Sequence, residues 1–546
     1  MKLYKLYCCH EYIYIVLRCI RATMLNCPEP TSLFAPVLCW IPSMAASILI
    51  IPLFIFFIYK IYGFLSPRHM KQIMQSQGVQ GPNPKFLLGN LLDIKKIVEK
   101  TLTQHKSAAI HQLEHRFFPY FVEWKKTYGK SFVYWLGIEA VLYVQEPELI
   151  QEISSSGSFN WGRPGFLKTD RFPLFGNGLI MAEDQDWFHQ RRIVGHALTA
   201  ENMKGLLGLV MDASLPILDD WVLRVMKGGQ SGVEIEVDGE LNRITGHVIS
   251  KLLFGSSYRK GFEILDQLKA LQHALFKATR FVGVPGSRFI PWGGNKDVWR
   301  LGKKANLLIL QIINARLECN TKGLGDDLLG VMLLELNQLK GLTLQDIVDE
   351  CKTLLIAGQE TTKLSLTWTL MLLALNPHWQ DRVRAEVLEI TKGVQPDNNM
   401  LSKMKVMTMV INESMRLYPP VSYTVRQAKQ DMKMGNLKIP KGMSMLINIL
   451  GMHQDPQLWG RQDVYEFDPK RFSNVENIKK NNGYIPFGFG GRICPGEKVA
   501  RLEQKAILSL IVSKFSFTVS PNYVHSPKSL LSIMPSNGMQ LIFSLL

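Results

Sequence analysis

One segment restricts the fold more than any other. In YIPFGFGGRICPGEKVARLEQKAILSLIVSKF, residues 484–515, glycines at 488, 490, 491 and 496 surround a single cysteine, Cys494, just ahead of a long amphipathic helix pattern. Glycine lets backbone approach closely and turn through positive φ, and a helix start aims unsatisfied amides at whatever precedes it. A thiolate placed there is stabilised by amide donors and screened from water, as a metal-bound cysteine requires. A lone cysteine is more commonly a buried filler, but a filler needs no such loop.

The other seven cysteines do not compete for that role. Cys8, Cys9, Cys19, Cys27 and Cys39 crowd one end of the chain, and Cys319 and Cys351 stand alone. The three thiols of the body, Cys319, Cys351 and Cys494, are too scattered for a disulfide framework or a paired CxxC metal site. With 47% hydrophobic residues in 546, the chain has material for a large core and no composition that would keep it disordered. Its net charge of +17 does not point to nucleic acid, because Lys-Lys pairs such as those beginning at 125, 303 and 479 are scattered over the chain rather than gathered in a binding module.

No charged residue lies between Glu29 and Lys60, and MAASILIIPLFIFFIY at 44–59 is almost continuously apolar. A membrane span needs roughly 20 such residues, and the flanking Trp40, Tyr59 and Tyr62 extend the stretch into the interfaces. Lys60, Arg68 and Lys71 follow, so an uncleaved signal anchor over 44–62 is expected, with the positive flank and the body in the cytosol. Residues 1–43 form an N-terminal extension. Residues 63–90, with Gly81, Pro82 and Pro84, read as a hinge, and 91–546 as the body.

Within the body the hydrophobic period is mostly helical. It predicts helices up to Tyr128, from Pro147, and over 202–226, 261–278, 304–318, 344–375, 379–390 and 403–416. Short strands are expected at 132–135, 140–144, 425–434 and 444–449, with further alternation at the C-terminus. The fold class is therefore mostly α with a minor β-sheet region, and no internal repeat at solenoid period is present.

Phe487, Gly490, Arg492, Cys494 and Gly496 have the spacing F-x-x-G-x-R-x-C-x-G, which resembles the haem-binding loop of cytochrome P450 monooxygenases. The other signatures of that family stand in order along the chain. INESMRLYPP carries an E-x-x-R at Glu413 and Arg416, FDPKRF matches the meander motif with Arg471, and AGQETT matches the oxygen-binding centre at Ala357, Gly358, Glu360, Thr361 and Thr362. W-x-x-x-R appears at Trp187 and Arg191. The whole body is most similar to the plant P450s of the 72 clan.

The resemblance implies a cytochrome P450 fold behind the anchor, in the endoplasmic reticulum membrane. Its cofactor would be haem b with Cys494 as iron ligand, and Trp187, Arg191, Arg426, Arg492 and Phe487 would complete the cofactor site. Glu360 and Thr361 would serve proton delivery, and a Glu413, Arg416 and Arg471 cluster would lock the haem loop. Small residues at 357 and 358 leave room over a flat ring, and the Thr361 hydroxyl is expected to open a local break in the helix ladder. Electrons would come from NADPH through NADPH–cytochrome P450 reductase, because no flavin or nicotinamide fingerprint occurs in the chain. Lys498, Arg501 and Lys505, at helical spacing behind the cysteine, offer a positive face to that acidic donor.

The implied activity is monooxygenation of a lipophilic small molecule, terpenoid or plant-hormone-like, such as a gibberellin, brassinosteroid, fatty acid or triterpenoid. The pocket would be lined from 166–175, Phe276, Phe281, Leu354, Ala357, 421–425 and 530–534. Arg163 and Arg171 are candidates for a substrate carboxylate, although the loop carrying them is expected to be partly solvent-exposed. Two other classes compete. One is a haem-thiolate isomerase or dehydratase of lipid hydroperoxides, in which the distal threonine is typically lost whereas Thr361 is present. The other is a membrane-anchored ligand binder without catalysis.

Overall fold

The computed structural model describes residues 69–104, 111–199, 205–229, 232–277, 282–284, 294–318, 325, 327–338, 343–474 and 483–546. The expected anchor and N-terminal extension, and Phe281, lie outside the described residues. Among the described residues no helix is long and apolar enough to cross a membrane.

Ten helices position the site: α1 (Gly165–Phe175), α2 (Asp184–Ala197), α3 (Leu206–Gly228), α4 (Val237–Phe254), α5 (Tyr258–Lys277), α6 (Asn295–Glu318), α7 (Leu344–Leu375), α8 (Pro377–Thr391), α9 (Lys405–Leu417) and α10 (Glu497–Lys514). The longest, α7, has 32 residues, about 48 Å at 1.5 Å per residue. Its start is a capping box, in which Thr343 Oγ1 accepts from the Asp346 N–H at 3.2 Å and Asp346 Oδ2 accepts from the Thr343 N–H at 2.8 Å. It stops at Asn376 because Pro377 disfavours helical backbone in the residue before it. From Thr362 to Ala374 every residue is buried, so α7 is an axle inside the body rather than an amphipathic surface helix. Helix α4 packs against it extensively, and α9 and α10 also contact it.

The main sheet has five strands in the spatial order Ser131–Leu136, Glu139–Val144, Ser444–Ile447, Thr424–Ala428 and Trp161–Gly162. Gly137, at φ +60, makes the two-residue turn joining the first pair. Glu139–Val144 runs parallel to Ser444–Ile447 although they are 300 residues apart, and Thr424–Ala428 returns antiparallel. A second sheet pairs Val233–Glu236 and Phe515–Val519 on either side of Gln540–Leu545.

The element pattern differs from the sequence reading at a few places. The run over 425–434 is two strands, Thr424–Ala428 and Met432–Met434, separated by a turn. The helix expected from 304 begins at Asn295, and α4 has no counterpart in the periodicity read above. Its buried side carries Leu241, Ile244, Val248 and Ile249, while Glu240, Arg243, His247 and Lys251 fall on the less buried side at helical spacing.

Candidate active site

Motifs far apart in the sequence meet in one cavity of about 420 Å³. Cys494, Phe487 and Arg492 of the glycine loop line it, together with Glu360 and Thr361 of α7, Trp187 and Arg191 of α2, and Arg426 of the main sheet. Apolar side chains such as Leu167, Phe175, Ile249 and Leu354 complete much of the wall.

The loop is held by its own backbone and by contact with its neighbours. Gly488 and Gly490 sit at φ +79 and +63, and the Cys494 N–H donates to Phe487 O at 2.8 Å. At Gly491 a Cβ would come within 2.1 Å of Ser158 Oγ, so a side chain there would push the loop off the body. Phe487 lies under the guanidinium of Arg501, 4.8 Å from the ring centroid. Cys494 is exposed only as part of the cavity wall. Burial pushes its thiol up, while the Gly496 N–H and the charge of Arg191 pull it back toward the thiolate.

Arg163, Arg426 and Arg492 gather on one side of the same cavity. Burial, followed by the charges of Arg426 and Arg492, drives Arg163 well below the usual guanidinium range. Arg426 is lowered to about 9 by burial and by Arg492. Burial lowers Arg492 to about 10 against the opposing pull of Glu183 and Asp184. Arg163 Nε and Arg492 Nε and Nη2 are buried without a hydrogen-bond partner. Three like charges with idle donors mark a place built for anions. Arg492 also stacks over Trp187 at 4.5 Å.

On the opposite wall α7 continues through Thr361 without interruption, so the expected break in the ladder is absent. The Thr361 hydroxyl donates to the Ala357 carbonyl one turn back at 2.6 Å, leaving the helix intact. Glu360 Oε1 accepts from Gln272 Nε2 at 3.1 Å and from the Ser532 hydroxyl.

Behind the loop, Glu413 and Arg416 of α9 form a bidentate pair at 2.7 and 2.8 Å with no exposed side-chain surface. Arg471 Nε reaches Glu413 Oε1 at 3.3 Å, and Arg416 also donates to the carbonyls of His453, Val464 and Glu466. The pair thereby ties α9 to the segment leading into the loop.

The cytochrome P450 family model matches residues 80–543, which is nearly the whole body. The chain is a cytochrome P450. A cytokinin hydroxylase of Arabidopsis thaliana is 40% identical over 88% of this chain and 93% of its own length. Cytochrome P450 714C2 of Oryza sativa subsp. japonica is 38% identical over 92% of this chain and 98% of its own. With relatives from the 714 and 709 groups, this P450 stands among the plant enzymes of the 72 clan and is a monooxygenase by family. The structure of cyanobacterial CYP120A1 with bound retinoic acid shares the fold, with a TM-score of 0.69 at 22% identity over 86% of this chain and 99% of that one.

P450s carry haem, and the residues present fit that group. The idle donors of Arg163 and Arg492 suit two carboxylates, Trp187 and the glycine loop offer flat walls, and one thiol, that of Cys494, lines the same space.

Arg163 therefore departs from the sequence reading. It stands with Arg426 and Arg492, and its Nη1 donates to the Val425 carbonyl at 2.9 Å. That neighbourhood arises from pairing of Trp161–Gly162 with Gln427–Ala428, a contact across more than 260 residues that no local pattern announces. Arg171 departs as well, since it is buried rather than in a solvated loop. Phe276 lies beneath Arg171 instead of lining the cavity, and Leu531 and Ser532 represent the C-terminal hairpin there. Glu503 was missed, although a signal existed. It shares a helical face with Gly496, Val499 and Ala500, all of which line the cavity.

Proposed function

We propose that this P450 hydroxylates a lipophilic, hormone-like or terpenoid small molecule, a gibberellin-type acid among the candidates, at an endoplasmic reticulum membrane. The observation that carries the proposal is the single cavity in which Cys494 and the arginine group face Thr361 across a largely apolar space. The cytokinin hydroxylases at 40% and 39% identity support a hormone-like substrate.

When bound, haem supplies reductive activation of O2, one oxygen atom going to a substrate carbon and the other leaving as water. Cys494 would hold the iron as a thiolate, with the Gly496 amide and Arg191 favouring its charged form. Arg163, Arg426 and Arg492, with Trp187 and Arg191, would hold the carboxylate edge of the cofactor. Thr361 and Glu360 hold protons at the distal wall, and the apolar lining excludes bulk water while accepting a greasy substrate.

Residues 44–62 serve as a single membrane anchor with the 91–546 body on the cytosolic side. Two electrons arrive from NADPH through NADPH–cytochrome P450 reductase. Of the three cations behind the loop, Arg501 pairs with Glu497 at 2.8 Å and Lys505 donates to Leu401 O at 3.0 Å, whereas Lys498 is exposed. Docking then rests on Lys498 and its surroundings more than on the whole row.

The competing reading is rearrangement of lipid hydroperoxides without a reductase, and the presence of Thr361 speaks against it. Reconstitution with reductase, NADPH and O2 tests the choice over a panel of a cytokinin, a gibberellin precursor, a brassinosteroid, a fatty acid and a triterpenoid. Product from any of these supports the proposal, and turnover of a lipid hydroperoxide with neither NADPH nor reductase refutes it.

A further inference from the structure

Arg171 is the buried cation of the cavity region that the cofactor site does not use. It lies in α1, lines the cavity, and keeps only 9% of its side chain exposed. Its Nε is 3.3 Å from the Asp170 carboxylate, and its guanidinium carbon sits 4.4 Å above the ring of Phe276 in α5. The ion pair and the aromatic face fix the plane of the fork. Nη1 is left buried without a partner. Arg163, eight residues earlier, is turned instead toward Arg426 and Arg492, so the two arginines serve different ends.

Resting on the reading of this cavity as a substrate pocket, we infer that Arg171 anchors an oxyanion, a carboxylate or phosphate, carried by a lipophilic substrate at a position other than the carbon that is oxidised. A buried donor fixed in plane is satisfied best by a charged acceptor, since such hydrogen bonds are shorter and stronger than neutral ones. Asp170 occupies the Nε edge and leaves the Nη1 edge for the ligand. The surrounding Leu167, Phe175 and Leu531 receive the apolar body. The anchor sets the orientation of the molecule, and so which carbon meets the oxidising centre.

The test uses the haem-loaded full chain and the Soret shift that accompanies substrate binding. The probes are palmitic acid, hexadecyl phosphate and methyl palmitate, and a gibberellin-type diterpenoid acid with its methyl ester. At least one acid or phosphate is expected to bind about tenfold or more tighter than its ester, charge-assisted pairing being worth a factor of that order. Arg171→Leu should erase that difference while leaving ester binding unchanged, and Arg171→Lys should restore part of it. Equal affinity of every acid and ester for the unmodified enzyme, absence of acid binding, or an acid preference that survives Arg171→Leu overturns the inference. If Arg171→Leu fails to fold, the acid and ester comparison on the unmodified enzyme decides alone. The thiolate-type Soret band of the reduced carbon-monoxide complex separates the two readings. If it persists without acid preference, only the anchor fails; if it is absent, the cofactor reading fails as well.

Discussion

The hydroxyl of Ser532, in the C-terminal hairpin, donates to the carboxylate of Glu360 in the middle of α7. Gln272 of α5 donates to the same oxygen at 3.1 Å. The acid expected to move protons is therefore held in place from two sides, by the C-terminal Ser532, which lines the cavity, and by α5. A hydrogen bond to a charged group contributes about 1.5–3 kcal/mol, enough to fix which way the carboxylate points. Ser532→Ala and Gln272→Leu are each expected to lower the fraction of NADPH electrons recovered in product about two- to tenfold, with substrate affinity changing less. Ser532→Thr should retain coupling. Coupling ratios that stay at the unmodified value in both loss variants would refute a positioning role for these contacts.

Thr361 offers a cleaner separation of stability from chemistry. Its hydroxyl is satisfied within α7 by the Ala357 carbonyl, so Thr361→Ala removes no cross-helix contact and should cost under about 1 kcal/mol. Haem content and melting temperature are expected to stay near the unmodified values while peroxide release rises. If coupling were unaffected, proton delivery would have to be assigned to Glu360 and water alone.

Helix α7 was legible in sequence although every residue from Thr362 to Ala374 is buried, and its limits follow from its capping residues and from Pro377. Helix α4 was passed over although Glu240, Arg243, His247 and Lys251 fall on one face of it at helical spacing. In the site, Cys494, Trp187, Arg191 and Arg492 could be named because each stands inside a dense local motif. Arg163 could not be placed by the same means. Its role depends on a strand pair closing far along the chain, and a basic residue beside a glycine looks the same in a cofactor rim or a solvated loop. The Thr361 motif was found, but its geometry was not, since hydroxyl back-bonding and helix opening start from identical residues.

The Glu413 and Arg416 pair should prove unforgiving. Both side chains are wholly buried, and Arg416 satisfies three carbonyls besides its carboxylate partner. Arg416→Leu leaves Glu413 with the Asp468 N–H at 2.9 Å and the longer Arg471 contact in place of the bidentate fork, and breaking a buried pair from one side costs about 3–5 kcal/mol. Soluble yield and haem content are expected to collapse together. Arg416→Lys should not rescue them, since one ammonium cannot reproduce the fork. Normal haem loading of Arg416→Leu would show that the meander is held by other contacts.

Glu503 carries a pH signature that can be read without substrate. It is buried in α10, its Oε1 has no partner, and burial raises its carboxyl from 4.5 to about 8. The folded protein therefore keeps a proton that the unfolded chain releases, so the folded state binds more protons between about pH 4.5 and about pH 8. Stability must fall as pH rises across that window and level off above it. Glu503→Gln preserves the shape and removes the titration. Its melting temperature should match that of the unmodified protein near the acid end of the window and exceed it increasingly toward the alkaline end. A difference between the two proteins that is constant with pH, or that runs the other way, would mean that Glu503 is ionised and paired in the folded enzyme.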